Sequence, residues 1–152
     1  MRAEIIETGI PKLKAARIII NAPVEKVFAI VTNPKMHPVI DGSGMVKGST
    51  VGPEKLILGS KFGMKMKIKV HYRILNTVVE YKVNELIAWN HILRNRWRYE
   101  FRAIDPTTTE VTEYLDTRQS PFTLYFHIVR VYEWSPIAMA KTLVTLKEIA
   151  EK

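Results

Sequence analysis

Cysteine is missing from all 152 residues. Disulfides, thiol catalysis, cysteine zinc fingers and thiolate-held iron–sulfur clusters are therefore excluded. Long apolar runs are missing as well. The longest uncharged stretch, Gln119 to Val129, has 11 residues, short of the ~18 that suggest a membrane span. The opening MRAEIIETGIPKLK is too charged for a signal peptide, so the expected location is the cytoplasm. No repeat or low-complexity tract occurs, and neither GxGxxG nor GxxxxGK[ST] is present. Acidic residues are scarce: 15 Asp and Glu against 23 Lys and Arg leave a net charge of +8. What is there is ordinary for a globular protein, with 47% hydrophobic and 25% charged residues and a mean hydropathy of -0.04. The length suits one domain over 1–152.

The N-terminal half reads as a strand, a helix, then sheet. Leu13 to Asn21 has the β-branched core of a strand. Pro23 suits a first helical turn, where its missing N–H costs nothing. Val24, Val27, Phe28 and Val31 then share one helical face, and Thr32-Asn33-Pro34 ends it. A short helical turn is expected next, before His37-Pro38 and the glycines of Asp41-Gly42-Ser43-Gly44. From Lys61 to Lys69, apolar residues alternate with lysines, which is a strand with one dry face. Strand character runs on to Val83, with a break placed near Lys69 to His71.

Leu86 to Leu93 and Trp97 to Ile104 read as a hairpin around Arg94-Asn95-Arg96. A three-residue loop pairs Leu93 with Trp97, His91 with Tyr99, and Trp89 with Phe101. The next hairpin, turning at Asp105-Pro106, leaves two registers open. A three-residue loop sets Phe101 opposite Glu113 and points Val111, Glu113 and Leu115 inward. A four-residue loop points Thr112 and Tyr114 inward instead. The chain then becomes helical. Phe122, Tyr125, Phe126, Val129 and Tyr132 fall at helical spacing, Trp134-Ser135-Pro136 interrupts, and a final helix presents Met139, Leu143, Leu146 and Ala150. Hairpin-length connections make the sheet antiparallel, and the last helix is the cover its dry face needs.

These segments resemble a known superfamily. INAPVEKVFAIVTNP (Ile20 to Pro34), GSKFGMKM (Gly59 to Met66), LIAWNH (Leu86 to His91), RWRYEF (Arg96 to Phe101) and EVTEYLD (Glu110 to Asp116) are similar, in that order, to the START-like or SRPBCC proteins. The nearest branch is that of polyketide cyclase/dehydrase and lipid-transport proteins. The resemblance implies an α+β helix-grip fold: a curved antiparallel sheet of about seven strands around a long C-terminal helix, with two short helices after the first strand. It also implies a cavity between helix and sheet for a lipid, a quinone or a polyketide-like ring. A cyclase or dehydratase using that cavity is the alternative. No catalytic residue is common to the superfamily, so none transfers. The stretch Met36 to Gly44 departs from the pattern in lacking an aromatic residue.

Phe62, Met64, Met66, Trp89, Trp97, Tyr99 and Phe101 fall on one sheet face. They read as packed core or as the wall of an apolar pocket, with Met139 and Leu143 opposite. His91 and Glu113 are the acid–base candidates: a cavity histidine can bond a ligand oxygen, and a buried carboxylate gains a raised pKa. The four histidines lie 34, 20 and 36 positions apart, which is no local ligand spacing, so neither metal nor cofactor is expected. Asp41 reads as a turn residue. Lys61, Lys65, Lys67 and Lys69, extended by Arg98 and Arg102, form a basic stripe suited to an anionic membrane or partner. Nucleic acid is disfavoured, because the aromatics lie on the opposite face from the lysines.

Overall fold

A computed structural model of the chain describes residues 2–49 and 51–152. Eight antiparallel strands form one curved sheet in the order β1-β2-β8-β7-β6-β5-β4-β3. They are β1 Glu4–Ile6, β2 Leu13–Ile20, β3 Val46–Ser49, β4 Lys61–Lys67, β5 His71–Lys82, β6 Leu86–Asn90, β7 Arg96–Asp105 and β8 Thr108–Asp116. Helices α1 (Val24–Val31) and α2 (His37–Ile40) lie between β2 and β3, and α3 (Thr123–Ile128) and α4 (Val131–Ala150) follow β8.

Local chemistry sets the boundaries. Pro23 precedes α1, whose Val27, Phe28 and Val31 are buried. The Thr32 hydroxyl then donates to the Phe28 carbonyl at 2.9 Å. Asn33 accepts from the Lys35 N–H at 3.0 Å and opens a short 3₁₀ turn. That turn continues into α2, so His37 and Pro38 are helical and do not follow the helix. Helix α4 covers β2 and β8, burying Met139, Leu143, Leu146 and Ala150. Among the described residues, no helix is long and apolar enough to cross a membrane.

The sheet of about seven strands expected for a helix grip has eight here, and three other expectations need correction. β1 is only three residues long, too short to show alternation, and is held by pairing with β2 and by an Arg17–Glu4 ion pair of 2.7 Å.

In the β6–β7 hairpin, Trp89 faces Trp97 and Ile87 faces Tyr99. β6 ends at Asn90, and the turn is the longer His91–Asn95, closed by the His91 N–H on the Asn95 carbonyl at 3.0 Å with Arg94 at φ 60°. The slip is an even number of residues, so the aromatic face keeps its side chains. In the last hairpin a register shift between Ala103 and Asp105 sets Phe101 opposite Val111 and Tyr99 opposite Glu113. Val111, Glu113 and Leu115 are all buried, so the inward set is the first of the two alternatives although its pairing is not.

The helical tail breaks at Arg130 (φ 56°), not at Trp134-Ser135-Pro136. Pro136 sits near the start of α4, where only the Tyr132 carbonyl loses a helical donor.

Candidate functional site

A cavity of about 570 Å³ lies between the inner face of the sheet and helices α2, α3 and α4. Met64, Met66, Trp89, Trp97 and Tyr99 wall it from the sheet, and Met139 from α4. His91 lines it from the β6–β7 loop and Glu113 from β8. Phe62, Phe101 and Leu143, expected on the same wall, belong to the packed core instead. Phe62 stands edge-on to Trp89 at 5.5 Å, and Phe101 edge-on to Phe28 at 5.2 Å. Leu143 is fully buried. Helix α1 accounts for Phe101, because its Phe28 packs against that ring and against Tyr81 at 5.8 Å, while Phe62 packs edge-on against His37 and Trp89.

The polar wall is built on Glu113. One of its oxygens, Oε1, accepts the Tyr99 hydroxyl at 2.8 Å, while Oε2 is buried with no partner among the described residues. Burial pushes the Glu113 carboxyl up to about 8, helped by the Asp41 charge and opposed by the Tyr99 hydrogen bond. At neutral pH it is an uncharged acid that can donate a hydrogen bond from Oε2. Burial, then the Glu113 charge, raises the Tyr99 phenol well above 10.

His37 supplies the complementary group. Its Nε2–H donates to the Val31 carbonyl at 2.8 Å, which leaves Nδ1 as an acceptor, buried and without a partner among the described residues. Burial lowers this imidazole to about 4, against the Val31 hydrogen bond and Asp41. The ring lies flat on Trp89 at 4.9 Å, and Trp89 stacks in turn on Tyr99 at 5.7 Å. The stretch noted for lacking an aromatic residue therefore places an aromatic imidazole on the cavity wall. Asp41 holds the following loop, accepting from Ser43 N and Oγ (3.0 and 2.7 Å) and from Val46 N (2.9 Å). The Gly42 N–H ties it to Thr142 Oγ1 of α4 at 2.8 Å.

His91 is half-buried at the edge of the cavity, with its ring 6.3 Å from Trp97. Desolvation lowers it to about 4. His37 and Asp41 were visible in the sequence only as a metal candidate and a turn residue. Nothing in local periodicity shows that α2 and the turn after it bring them to the wall of the same cavity as Glu113. No three His, Asp or Glu gather as a metal site among the described residues. The basic stripe is narrower than its sequence. Arg98 pairs with Glu100 at 2.8 Å and Arg102 with Glu110 at 3.1 Å, while Lys61, Lys65, Lys67 and Lys69 stay exposed.

The same architecture recurs in solved structures. A protein of Rhodobacter sphaeroides superposes with a TM-score of 0.72 at 13% identity, covering 97% of this chain and 96% of that one. Aha1 from Colwellia psychrerythraea, solved as a dimer, superposes with a TM-score of 0.58 at 15% identity, covering 91% and 96%. Aha1 carries the helix-grip fold of the START-like superfamily. This chain has the helix-grip fold. No family model matches the sequence of this helix-grip chain. It is 43% identical over 117 residues to Rv0088 of Mycobacterium tuberculosis, described as uncharacterized, which covers 76% of this chain and 52% of that protein. A second M. tuberculosis protein, MT0096, matches over the same length at 42%. The helix-grip chain thus spans about half the length of the curated relatives it matches.

Proposed function

We propose that the chain binds or transports a hydrophobic small molecule, such as a lipid, a quinone or a polyketide-like ring, in the cavity between the sheet and α4. One observation carries this reading. The cavity, about 570 Å³ and mostly apolar, has Glu113 Oε2 and His37 Nδ1 on its wall, both buried and without partners among the described residues. Asn76 and Ser135 keep unpartnered buried atoms outside the cavity too, so the hollow itself decides: a ligand site is a mostly apolar volume of roughly 300–1,000 Å³ with a few polar groups. Burial of an apolar body against Met64, Met66, Trp89 and Trp97 supplies affinity, and Glu113 and His37 orient a polar group.

The test is native mass spectrometry of protein purified from its own host, followed by extraction of anything bound. A stoichiometric apolar adduct is expected, and Met66→Lys and Trp97→Ala should abolish it while circular dichroism stays native. A bare mass that no lipid, quinone or aromatic polyketide increases would overturn the reading.

The cyclase or dehydratase alternative draws on one feature, the neutral Glu113 beside Tyr99, which can give and take a proton within the cavity. Turnover of a ring-forming or dehydrating substrate should then disappear in Glu113→Gln. Loss in His91→Phe instead would move the acid–base role to His91.

A further inference from the structure

The cavity opens among three segments that leave large apolar side chains uncovered. The β4–β5 turn contributes Ile68 and Val70, the latter 71% exposed, and the β6–β7 loop contributes Ile92, 78% exposed. On α3, Phe126 is the one buried residue, while Leu124 and Ile128, one helical turn apart, are 74% and 71% exposed. Tyr125 of α3 and Tyr72 of β5 line the same cavity as Ile68, Val70 and Ile92, so the segments form one rim. Scattered apolar residues are normal on a surface, but a contiguous set at a cavity mouth marks an interaction site.

The charge of this rim has one sign. Segments 65–73, 91–96 and 118–130 hold eight Lys and Arg and no Asp or Glu. Arg96, Arg118 and Arg130 pair with Glu80, Asp116 and Glu133 from neighbouring segments. Lys65, Lys67, Lys69, Arg73 and Arg94 have no acidic partner among the described residues. A second copy of the chain would set these cations against their own likes. An acidic protein would meet the cations and leave the aliphatic tips in a polar contact. An anionic bilayer satisfies both, with headgroup phosphates for the cations and the acyl boundary for the tips.

We propose that the cavity rim, formed by the β4–β5 turn, the β6–β7 loop and α3, docks on an anionic lipid bilayer, with the cavity mouth towards the acyl chains. This keeps Lys65, Lys67 and Lys69 of the lysine stripe, at the β4–β5 end of the sheet, and extends the membrane contact from the outer sheet face to the opening of the cavity. Docking does not depend on what the cavity holds.

The experiment is co-sedimentation with phosphatidylcholine vesicles, with and without phosphatidylglycerol. The protein should pellet with the anionic vesicles and be released by salt. Leu124→Asp with Ile128→Asp should abolish pelleting. Lys67→Gln, Arg73→Gln and Arg94→Gln together should weaken it about a hundred-fold, at ~1 kcal/mol per cation. None of these five side chains lines the cavity, so ligand adducts in native mass spectra should persist and show that the fold and the cavity are intact. Three results would overturn the proposal. These are no pelleting with anionic vesicles, pelleting indifferent to the α3 substitutions, or a dimer in solution that those substitutions dissociate. If adducts vanish from the native protein while pelleting persists, the cavity reading fails and the docking reading stands.

Discussion

Glutamine in place of Glu113 should stabilise the protein at pH 8 by up to about 4 kcal/mol and change it little at pH 4. In the fold the carboxyl keeps its proton up to about 8, whereas its ordinary value is 4.5. Between these two values the native state holds a proton that the unfolded chain has released. Stability therefore falls as pH rises through that window, by ~1.4 kcal/mol per unit, and is complete only below 4.5. Glutamine carries no charge to desolvate and still accepts from Tyr99, so the fall should vanish.

His37 acts with the opposite sign. It stays neutral in the fold down to about 4, against an ordinary 6.5, so the unfolded chain takes up a proton first as pH drops below 6.5. Stability is lost between 6.5 and 4, and the half-buried His91 adds to the same limb. The wild type should be most stable near pH 6.5, the ordinary histidine value, with losses on both sides. Urea midpoints across pH 4 to 9 test this. A wild-type profile that stays level from 6.5 to 8 would mean that Glu113 is ionised and the uncharged-acid assignment is wrong.

Alanine at Gly42 should cost about 3 kcal/mol, near the upper end for forcing extra volume into a packed contact. A Cβ there would stand 2.4 Å from the Ala138 carbonyl oxygen and 2.6 Å from both Lys141 Cβ and the Thr142 backbone nitrogen. Two of these atoms are helix backbone and cannot rotate away. Any shift also breaks the Gly42 N–H bond to Thr142 and swings Asp41 out of the cavity wall. The midpoint of thermal unfolding should drop by roughly 6–12 °C. Gly44→Ala is the control. It has φ 73° but open space around it, so backbone strain of roughly 1–2 kcal/mol is its whole cost. Equal effects at the two glycines would show that conformation, not crowding against α4, governs Gly42.

Much of this architecture was legible because apolar periodicity survives small errors of register. The β6–β7 pairing slipped by an even number of residues, and Trp89, Trp97 and Tyr99 kept their face. Glu113 was legible as an inward acid for the same reason. Its partner was not, because the shift between Ala103 and Asp105 that sets Tyr99 opposite it is an irregularity at the end of β7, which the turn signal Asp105-Pro106 does not announce. Phe62 and Phe101 were read as cavity wall because periodicity names a face, not a depth. Phe28 of α1 packs over Phe101, and Phe62 is covered by His37 and Trp89, contacts that no strand pattern records. His37 was out of reach for a different reason. Its role depends on a contact between α2 and β6, more than fifty residues apart, that no local pattern records. The α3–α4 break was misplaced because proline was weighed as a helix breaker wherever it stood, while the left-handed turn at Arg130 carries no glycine to announce it.

The pairing of β2 with β8 carries a cost in time. Leu13 meets Asp116 and Ile20 meets Thr109, and α4 packs on the same strand. Everything from β3 to β7 consists of neighbouring hairpins that can close as they emerge from a ribosome. β2 must wait for its partner strand, and at ~5–20 residues per second that wait is several seconds or more. During it, Ile18 and Ile20 have neither partner strand nor covering helix. Loop closure over so long a separation is slow, which makes it the step to watch in refolding. A nascent chain stalled before β8 would present an open, apolar sheet edge, and a chaperone that binds extended aliphatic segments should find it there.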